Sequence, residues 1–370
     1  MRILYVHAGN MYGGTERVLE TLARERSARP ALEPRFALCF DGRLAARLRA
    51  TGVAVDTLGP ARITRPHLAM QARSRLARII QRDLPDVVVT QSPWSHAIFA
   101  SVARRFELPL VLWTHDLLSG RPYLERLAKR WTPDLVICNS QCTESAARAI
   151  YPWTPTEIVH GPLSFVARST HGHVRAQSAT AVESVVIVHV GRMVPLKGHF
   201  ALLDALAELH VEEKWTCWFV GGAQDERERQ YERALRQRVA VLKLDECVRF
   251  LGERTDVPDV LAEADIYCQP NAAAEAFGLS LVEALGAGLP VLATELGGAR
   301  EIVTPSCGRL VAPASREALV DALAWLVQDS TARRALASAG PARAWSLCNA
   351  PARLAQLEGC FERVAGNVAA

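Results

Sequence analysis

Residues 275–293, EAFGLSLVEALGAGLPVLA, carry the pattern on which the fold turns. A helix begins near Leu279, a glycine-rich turn closes it, and an apolar run follows at residues 291–293. An apolar run also precedes it at residues 266–269, so strand, loop, helix and strand succeed one another. Working outward, the same alternation continues in both directions. Strands are expected at residues 185–190, 215–220 and 248–250, and a helix at 316–327, with Gly308 and Pro313 marking the last loops before it. Towards the amino terminus, strands are expected at residues 3–6, 35–40, 53–58, 86–90, 108–113 and 134–138, with helices at 15–23 and 66–82. Short strands alternating with amphipathic helices predict an α/β fold of parallel sheets.

The chain has 370 residues, too many for one hydrophobic core. Between residues 162 and 184 both periodicities dissolve into a stretch rich in Ser, Thr, Ala, Gly and His. The expected organisation is therefore a Rossmann-like domain at 1–161, a linker at 162–184 and a second Rossmann-like domain at 185–345. The remaining helical stretch, 346–370, has no strand of its own and is expected to pack back on the first domain.

Composition is that of an ordinary globular protein, 49% hydrophobic and 22% charged, which excludes a disordered, collagen-like or coiled-coil chain. A net charge of +4 is too mild to argue for nucleic acid. The nine cysteines form an odd set with no CxxC pair and read as reduced thiols in apolar surroundings. No apolar run approaches a membrane span, and the first apolar run is too short for a signal segment. A cytoplasmic protein, or one held on a membrane face, is expected.

Four segments carry chemistry. In the 275–293 stretch, the first amides of the helix near Gly278, Leu279 and Ser280 and its positive end suit a phosphate. Glu275, in the loop before that helix, can accept sugar hydroxyls, and Glu283 can accept both hydroxyls of a ribose. Ser280-x-x-Glu283 is also the pattern of a capping box, which leaves a structural reading of Glu283 open. The second segment, VGRMVPLKG at 190–198, places Arg192 and Lys197 at a strand's carboxyl end, where open α/β sheets bind ligands. Two cations there can neutralise a diphosphate, Arg as a planar fork and Lys as a point charge. The third, Gly13-Gly14-Thr15-Glu16, is a glycine pair at the first strand-to-helix turn without GxGxxG spacing, which disfavours a nicotinamide-type dinucleotide. The fourth, Trp113-Thr114-His115-Asp116, sets a histidine beside a carboxylate at a strand end, read either as a substrate contact or as a structural histidine.

Together these segments resemble the retaining glycosyltransferases of the GT-B fold, family-four type, which build bacterial polysaccharides and lipid-linked glycans. The resemblance runs through GGTERVL, WTHD, VICNSQCT, VGRMVPLKG, FVGG, FLGE, the 275–293 stretch and GGAREIV at 297–303, in that order. It implies two Rossmann-like domains facing across a cleft. It also implies that Glu275 and Glu283 contact the donor sugar and the ribose, and that Arg192 and Lys197 bind the diphosphate. Phe277, Gly278 and Leu279 match the loop under sugar and phosphates, Gly14 with Gly13 the amino-terminal glycine turn facing the reaction centre, and His115 the histidine near the donor sugar. The base is expected against Gly252 and Glu253. Two departures stand out: VHGPLS at 159–164 replaces the usual Asn-Gly turn, and PNAAA at 270–274 replaces a serine-rich loop.

The implied reaction is transfer of a hexose from a UDP- or GDP-sugar donor to a hydroxyl of a glycan or lipid-linked acceptor, with retention. No Asp-x-Asp triplet occurs, so no metal and no cofactor are expected, with Arg192 and Lys197 in the metal's place. A phosphate-using disaccharide phosphorylase and a non-catalytic sugar-nucleotide-binding subunit are the alternatives. Charge divides unevenly: residues 1–161 hold 22 Lys and Arg against 14 Asp and Glu, and the rest 21 against 25. Several arginines of the first half lie on the helix at 66–82. They read as a solvated face, or as a dock for an anionic membrane surface or a phosphate-bearing acceptor.

Overall fold

The structure is a computed structural model and describes residues 1–165 and 172–368. It divides into two compact units, Met1–Ser164 with Cys348–Ala370, and Phe165–Leu347.

The first unit is built on seven strands: β1 (Arg2–His7), β2 (Glu33–Leu38), β3 (Ala54–Thr57), β4 (Val87–Thr90), β5 (Leu110–Thr114), β6 (Leu135–Cys138) and β7 (Thr156–Ile158). Its helices are α1 (Gly14–Arg24), α2 (Arg43–Ala50), α3 (Pro66–Asp83), α4 (Pro93–Arg105), α5 (Tyr123–Ala128) and α6 (Gln141–Ile150). The strands lie in the order β3-β2-β1-β4-β5-β6-β7, every pair parallel. VVVT of β4 and LVLWT of β5 are buried along their whole length, because helices cover both faces of a parallel sheet. Leu4, Val6, Val88 and Leu110 meet Leu76, Ile79 and Ile80 of α3 in one apolar cluster. Each such side chain contributes roughly 1.5–3 kcal/mol on leaving water.

The second unit repeats the plan with β8 (Val185–Val190), β9 (Trp215–Val220), β10 (Val248–Gly252), β11 (Ile266–Gln269), β12 (Val291–Thr294) and β13 (Gly308–Val311). They lie in the order β10-β9-β8-β11-β12-β13, again all parallel. Its helices are α7 (His173–Gln177), α8 (His199–Ala207), α9 (Glu226–Val241), α10 (Val257–Ala262), α11 (Leu279–Gly286), α12 (Ala299–Ile302), α13 (Arg316–Gln328) and α14 (Ser330–Cys348). In each sheet the order reverses beside its first strand, between β1 and β4 and between β8 and β11. Crevices at such reversals, outside the carboxyl ends of the strands, are where open sheets take ligands.

The sequence reading needs correction at the sheet edges. Gly308, expected in a loop, opens β13, whose four residues pair with β12 and are too few to show a period. The three-residue edge strand β7 escapes for the same reason. Residues 166–171 of the expected linker lie outside the described residues. From residue 172 onward the stretch is part of the second unit, held by polar contacts that leave no hydrophobic period. Arg175 bonds Asp265 Oδ2 at 2.7 Å and the Ser184 carbonyl at 2.9 Å, and Trp218 Nε1 donates to Thr180 Oγ1 at 3.0 Å.

The last helix, α15 (Ala350–Val368), belongs to the first unit. Phe361 meets the ring of Tyr5 edge-on at 6.4 Å, and Gln356 Nε2 donates to the Ile158 carbonyl at 2.6 Å. All nine cysteines are free.

Candidate active site

In the second unit, the two loops singled out by sequence follow β8 and β11, which are neighbours. The β8 loop ends in a short turn, Pro195–Lys197, and Gly198 has φ +72°. A Cβ on Gly198 would lie 1.7 Å from the Pro270 carbonyl oxygen, so only glycine lets this loop close on the β11 loop. Ala272 N donates to the Leu196 carbonyl at 2.9 Å and fastens the two together.

This apposition brings Lys197 Nζ to 2.5 Å from Glu275 Oε1. Glu275 Oε2 accepts from Gln269 Nε2 at 2.7 Å and from Asn271 Nδ2 at 2.9 Å. Gln269 Oε1 in turn accepts from Tyr267 at 2.7 Å and from Ser280 Oγ at 2.8 Å. Burial would raise the Glu275 pKa, but the Lys197 charge and hydrogen bond, with Asn271 and Gln269, outweigh it and hold the carboxyl below its ordinary range. Glu275 is therefore an anion at neutral pH, with its orientation set from three sides.

The glycine pair of GGAREIV closes the same loop from behind. A Cβ on Gly297 would lie 2.2 Å from the Glu275 carbonyl oxygen, and one on Gly298 2.3 Å from that of Phe277. Gly298 N donates to the Glu275 carbonyl at 3.0 Å.

Helix α11 starts at Leu279 with Gly278 as its N-cap and no side chain capping it. Ser280 lies inside the helix and hydrogen-bonds Gln269, so it forms no capping box with Glu283. The capping-box reading left open for Glu283 thereby falls. No acidic residue occupies the first turn, so the positive end of α11 is suited to an anion. Phe277 is buried beneath this turn.

Arg192 pairs with Glu228, a buried carboxylate of α9 whose other oxygen accepts from Gln224 N at 2.8 Å. Gly252 ends β10 and the exposed Glu253 follows it; a Cβ on Gly222, after β9, would come within 3.1 Å of the Glu253 Cβ. Under the β8 loop lie two buried imidazoles, His189 and His199, with ring centroids 4.3 Å apart. His189 Nε2 donates to the Lys197 carbonyl at 3.0 Å. Burial and the Lys197 charge push His189 down to about 4; burial, His189 and Lys197 push His199 down to about 2.

In the first unit, Gly13 caps α1, and its amide donates to Glu16 Oε2 at 2.8 Å. Glu16 Oε1 lies 2.8 Å from His7 Nε2. Burial raises the Glu16 pKa, and the hydrogen bond and charge of His7 with the Gly13 amide reverse the sign, leaving it lowered. His115 follows β5, and its Nε2 donates to Gln91 Oε1 at 2.8 Å. Burial of its surroundings, then the charge of His7, drive its pKa to about 3 against the opposing pull of Glu16. A neutral ring that donates through Nε2 keeps Nδ1 as an acceptor.

Sequence reasoning missed Gln269, Asn271 and Glu228. Gln269 carried a signal, an amide closing the otherwise apolar strand IYCQ. Glu228 sits where an ordinary acidic first turn would be, after the N-cap Asp225, and gave none. Among the described residues, one group, His173, Asp256 and Asp259, has ligand atoms within 4.8 Å of one another. Asp256 there is already held by Arg254 through both oxygens, at 2.8 and 2.5 Å.

Comparison with known proteins places these arrangements in a family. The glycosyl transferases group 1 family matches residues 173–343, and glycosyltransferase family 4 matches residues 12–163. A phosphatidyl-myo-inositol mannosyltransferase of Mycobacterium leprae is 35% identical over 150 residues, 40% of this chain and 38% of that protein. The lipopolysaccharide glucosyltransferase WaaG of Escherichia coli is 34% identical over 166 residues, 44% of this chain and 42% of its own. The chain spans less than half the length of these curated relatives. The crystal structure of Anabaena HepE in complex with UDP-glucose superposes with a TM-score of 0.85 at 25% identity, covering 98% of this chain and 100% of that one. Both halves matched in order and the fold shared along nearly its whole length, the chain belongs to the family-four type of glycosyltransferases with the GT-B fold.

Proposed function

We propose that this protein transfers a hexose, with retention of configuration, from a nucleoside diphosphate sugar to a hydroxyl of a glycan or lipid-linked glycan. The observation that carries the reading is the Lys197–Glu275 pair beside the uncapped positive end of α11, at the reversal point of the second sheet. It sets a cation and helix amides for a diphosphate next to an oriented carboxylate for sugar hydroxyls. The UDP-glucose complex of Anabaena HepE, and the mannosyl- and glucosyltransferases among the relatives, support it.

In this reading Arg192, Lys197 and the turn at Phe277, Gly278 and Leu279 hold the diphosphate, and Glu275 accepts hydroxyls of the sugar. Glu283 takes the ribose, and Gly252 and Glu253 border the base. Gly13, Gly14 and His115 serve the sugar end, the neutral His115 accepting a hydroxyl through Nδ1. The bond from the anomeric carbon to the diphosphate breaks as the acceptor oxygen bonds that carbon from the same face. The acceptor proton leaves with the diphosphate, whose growing charge Arg192, Lys197 and the α11 amides stabilise. No metal takes part, and the enzyme works at the cytoplasmic face of a membrane.

A thermal-shift panel of UDP-, GDP- and ADP-sugars tests this, since a true donor stabilises the folded chain by mass action. A shift with one donor class, and turnover of that donor that survives EDTA, is the expected result. No shift with any of them overturns the donor assignment, and activity lost to EDTA and restored by magnesium overturns the metal-free reading.

A further inference from the structure

Gln91 directly follows β4, at the point where the order of the first sheet reverses between β1 and β4. Val6 pairs with Thr90 across those strands, and the next backbone bond, from Gln91 N to the Val6 carbonyl at 3.3 Å, sets Gln91 beside His7. Leu4, Val6 and Val88 belong to the apolar cluster under α3. Side chains alternate along a strand, so His7 and Gln91 stand on the other face of the sheet, where His7 meets Glu16 of α1.

In that place a glutamine is an expensive choice. Gln91 is 1% exposed, and among the described residues its side chain makes one hydrogen bond, its Oε1 accepting from His115 Nε2 at 2.8 Å. Its Nε2 is buried without a partner. An amide donor left unpaired inside a protein costs stability, and a methionine of about the same volume would avoid that cost. What glutamine supplies and methionine does not is the carbonyl oxygen on His115.

His115 needs that oxygen because its ring has a choice to make. Burial of its surroundings, then the charge of His7, push its pKa to about 3, so at neutral pH it carries a single proton that either nitrogen can hold. The Trp113 ring, 5.1 Å away and tilted by 34°, limits the plane of the imidazole but does not select a nitrogen. An acceptor on Nε2 does select. It keeps the proton there and leaves Nδ1, which makes no hydrogen bond among the described residues, as an acceptor.

We propose that Gln91 is a positioning residue of the transfer, fixing the His115 ring with Nδ1 as the acceptor for a hydroxyl of the donor sugar. The inference rests on the transferase reading for that hydroxyl. As the bond from the anomeric carbon to the diphosphate breaks, the sugar ring gains positive charge and its hydroxyls become stronger donors. The bond to Nδ1 therefore tightens at the transition state, and a ring that turns or moves its proton forfeits it there.

Gln91→Met keeps the length of the side chain and removes the acceptor. Donor-hydrolysis kinetics of this variant should show kcat down about tenfold, the worth of one hydrogen bond, with donor KM unchanged. Nitrogen NMR of the histidine-labelled whole chain, with His115 assigned by its loss in His115→Asn, should show a single tautomer protonated on Nε2. In Gln91→Met the tautomers should mix and the Nε2 proton should exchange freely with solvent. A proton on Nδ1 in the unaltered chain, as the reversed Gln91 amide would impose, overturns the proposal even where the variant fails to fold. An unchanged His115 signal in Gln91→Met overturns it too, as does unchanged kcat, or KM raised with kcat kept. No turnover and no donor thermal shift in the unaltered chain is the failure of the transferase reading; equal turnover by the unaltered and Gln91→Met chains is the failure of this inference alone.

Discussion

Lys197 and Glu275, 78 positions apart in the chain, meet at 2.5 Å because two loops at the reversal point of one sheet are pressed together through a glycine. Neither group is free to move: the carboxylate is held on its other oxygen by Gln269 and Asn271, and the lysine stem lies over Gly191, whose absent Cβ would stand 3.3 Å from Lys197 Cδ and Cε. A preset ion pair of this kind can exchange partners for a bound anion and a sugar hydroxyl without reorganising the loop.

Removing one member leaves the other unpaired in a mostly buried site. Lys197→Met should lower turnover by on the order of 100-fold or more and destabilise the fold by about 2–4 kcal/mol, somewhat below a fully buried pair. The double variant Lys197→Met, Glu275→Gln should be less destabilised than the sum of its parts. Urea unfolding with donor-hydrolysis assays on the four chains checks both; strict additivity would show that the pair is uncoupled.

Glu228 is expected to aim Arg192. Glu228→Gln keeps the shape but drops the charge, so Arg192 should wander and donor KM should rise about tenfold, the size of one lost charge-assisted bond. Lowered kcat at unchanged KM would instead place Arg192 outside donor binding.

The glycine pair behind the Glu275 loop should tolerate no side chain. Gly298→Ala places a Cβ 2.3 Å from the Phe277 carbonyl oxygen, so the loop must shift, costing about 1–3 kcal/mol and weakening donor binding. Gly366→Ala, whose Cβ meets nothing within 4 Å, should be neutral or slightly stabilising. Equal thermal midpoints for the two variants would contradict this.

Acid should loosen the second unit through His189 and His199. In the unfolded chain an imidazole titrates near ~6.5, and in the fold these do so near 4 and 2, so the unfolded chain takes up protons first as pH falls. Stability is full above the unfolded value and is lost as pH drops below it towards the folded values, by about 2 kcal/mol per imidazole at pH 5. His199→Phe, which preserves ring packing on Phe219 and Tyr231, should shrink the fall in urea midpoint between pH 7.5 and pH 5. An unchanged fall would mean that other groups carry the acid sensitivity.

Most strands were legible because a parallel strand buried on both faces must be mostly apolar, as VVVT and VVIVHV are apart from Thr90 and His189. β7 and β13 were not, since edge strands of three and four residues leave nothing to count. The segment from residue 172 to 184 was misread because Arg175 and Thr180, polar anchors without a period, tie it down. Of the candidate site, the charged residues were visible through their position at strand ends. Gln269, Asn271 and Glu228 were not, because a polar residue that orients another looks in sequence like any surface residue.

Sequence by itself determined the two-unit α/β plan, the parallel strands and the loops that bear Arg192, Lys197, Glu275 and Glu283, since strand burial and helix periodicity are written locally. Only tertiary structure decided that Ser280 bonds Gln269 and forms no capping box with Glu283, and that Arg192 rests on Glu228. Those facts depend on which distant side chains the sheet order brings within hydrogen-bond reach, and no local pattern in the chain encodes that distance.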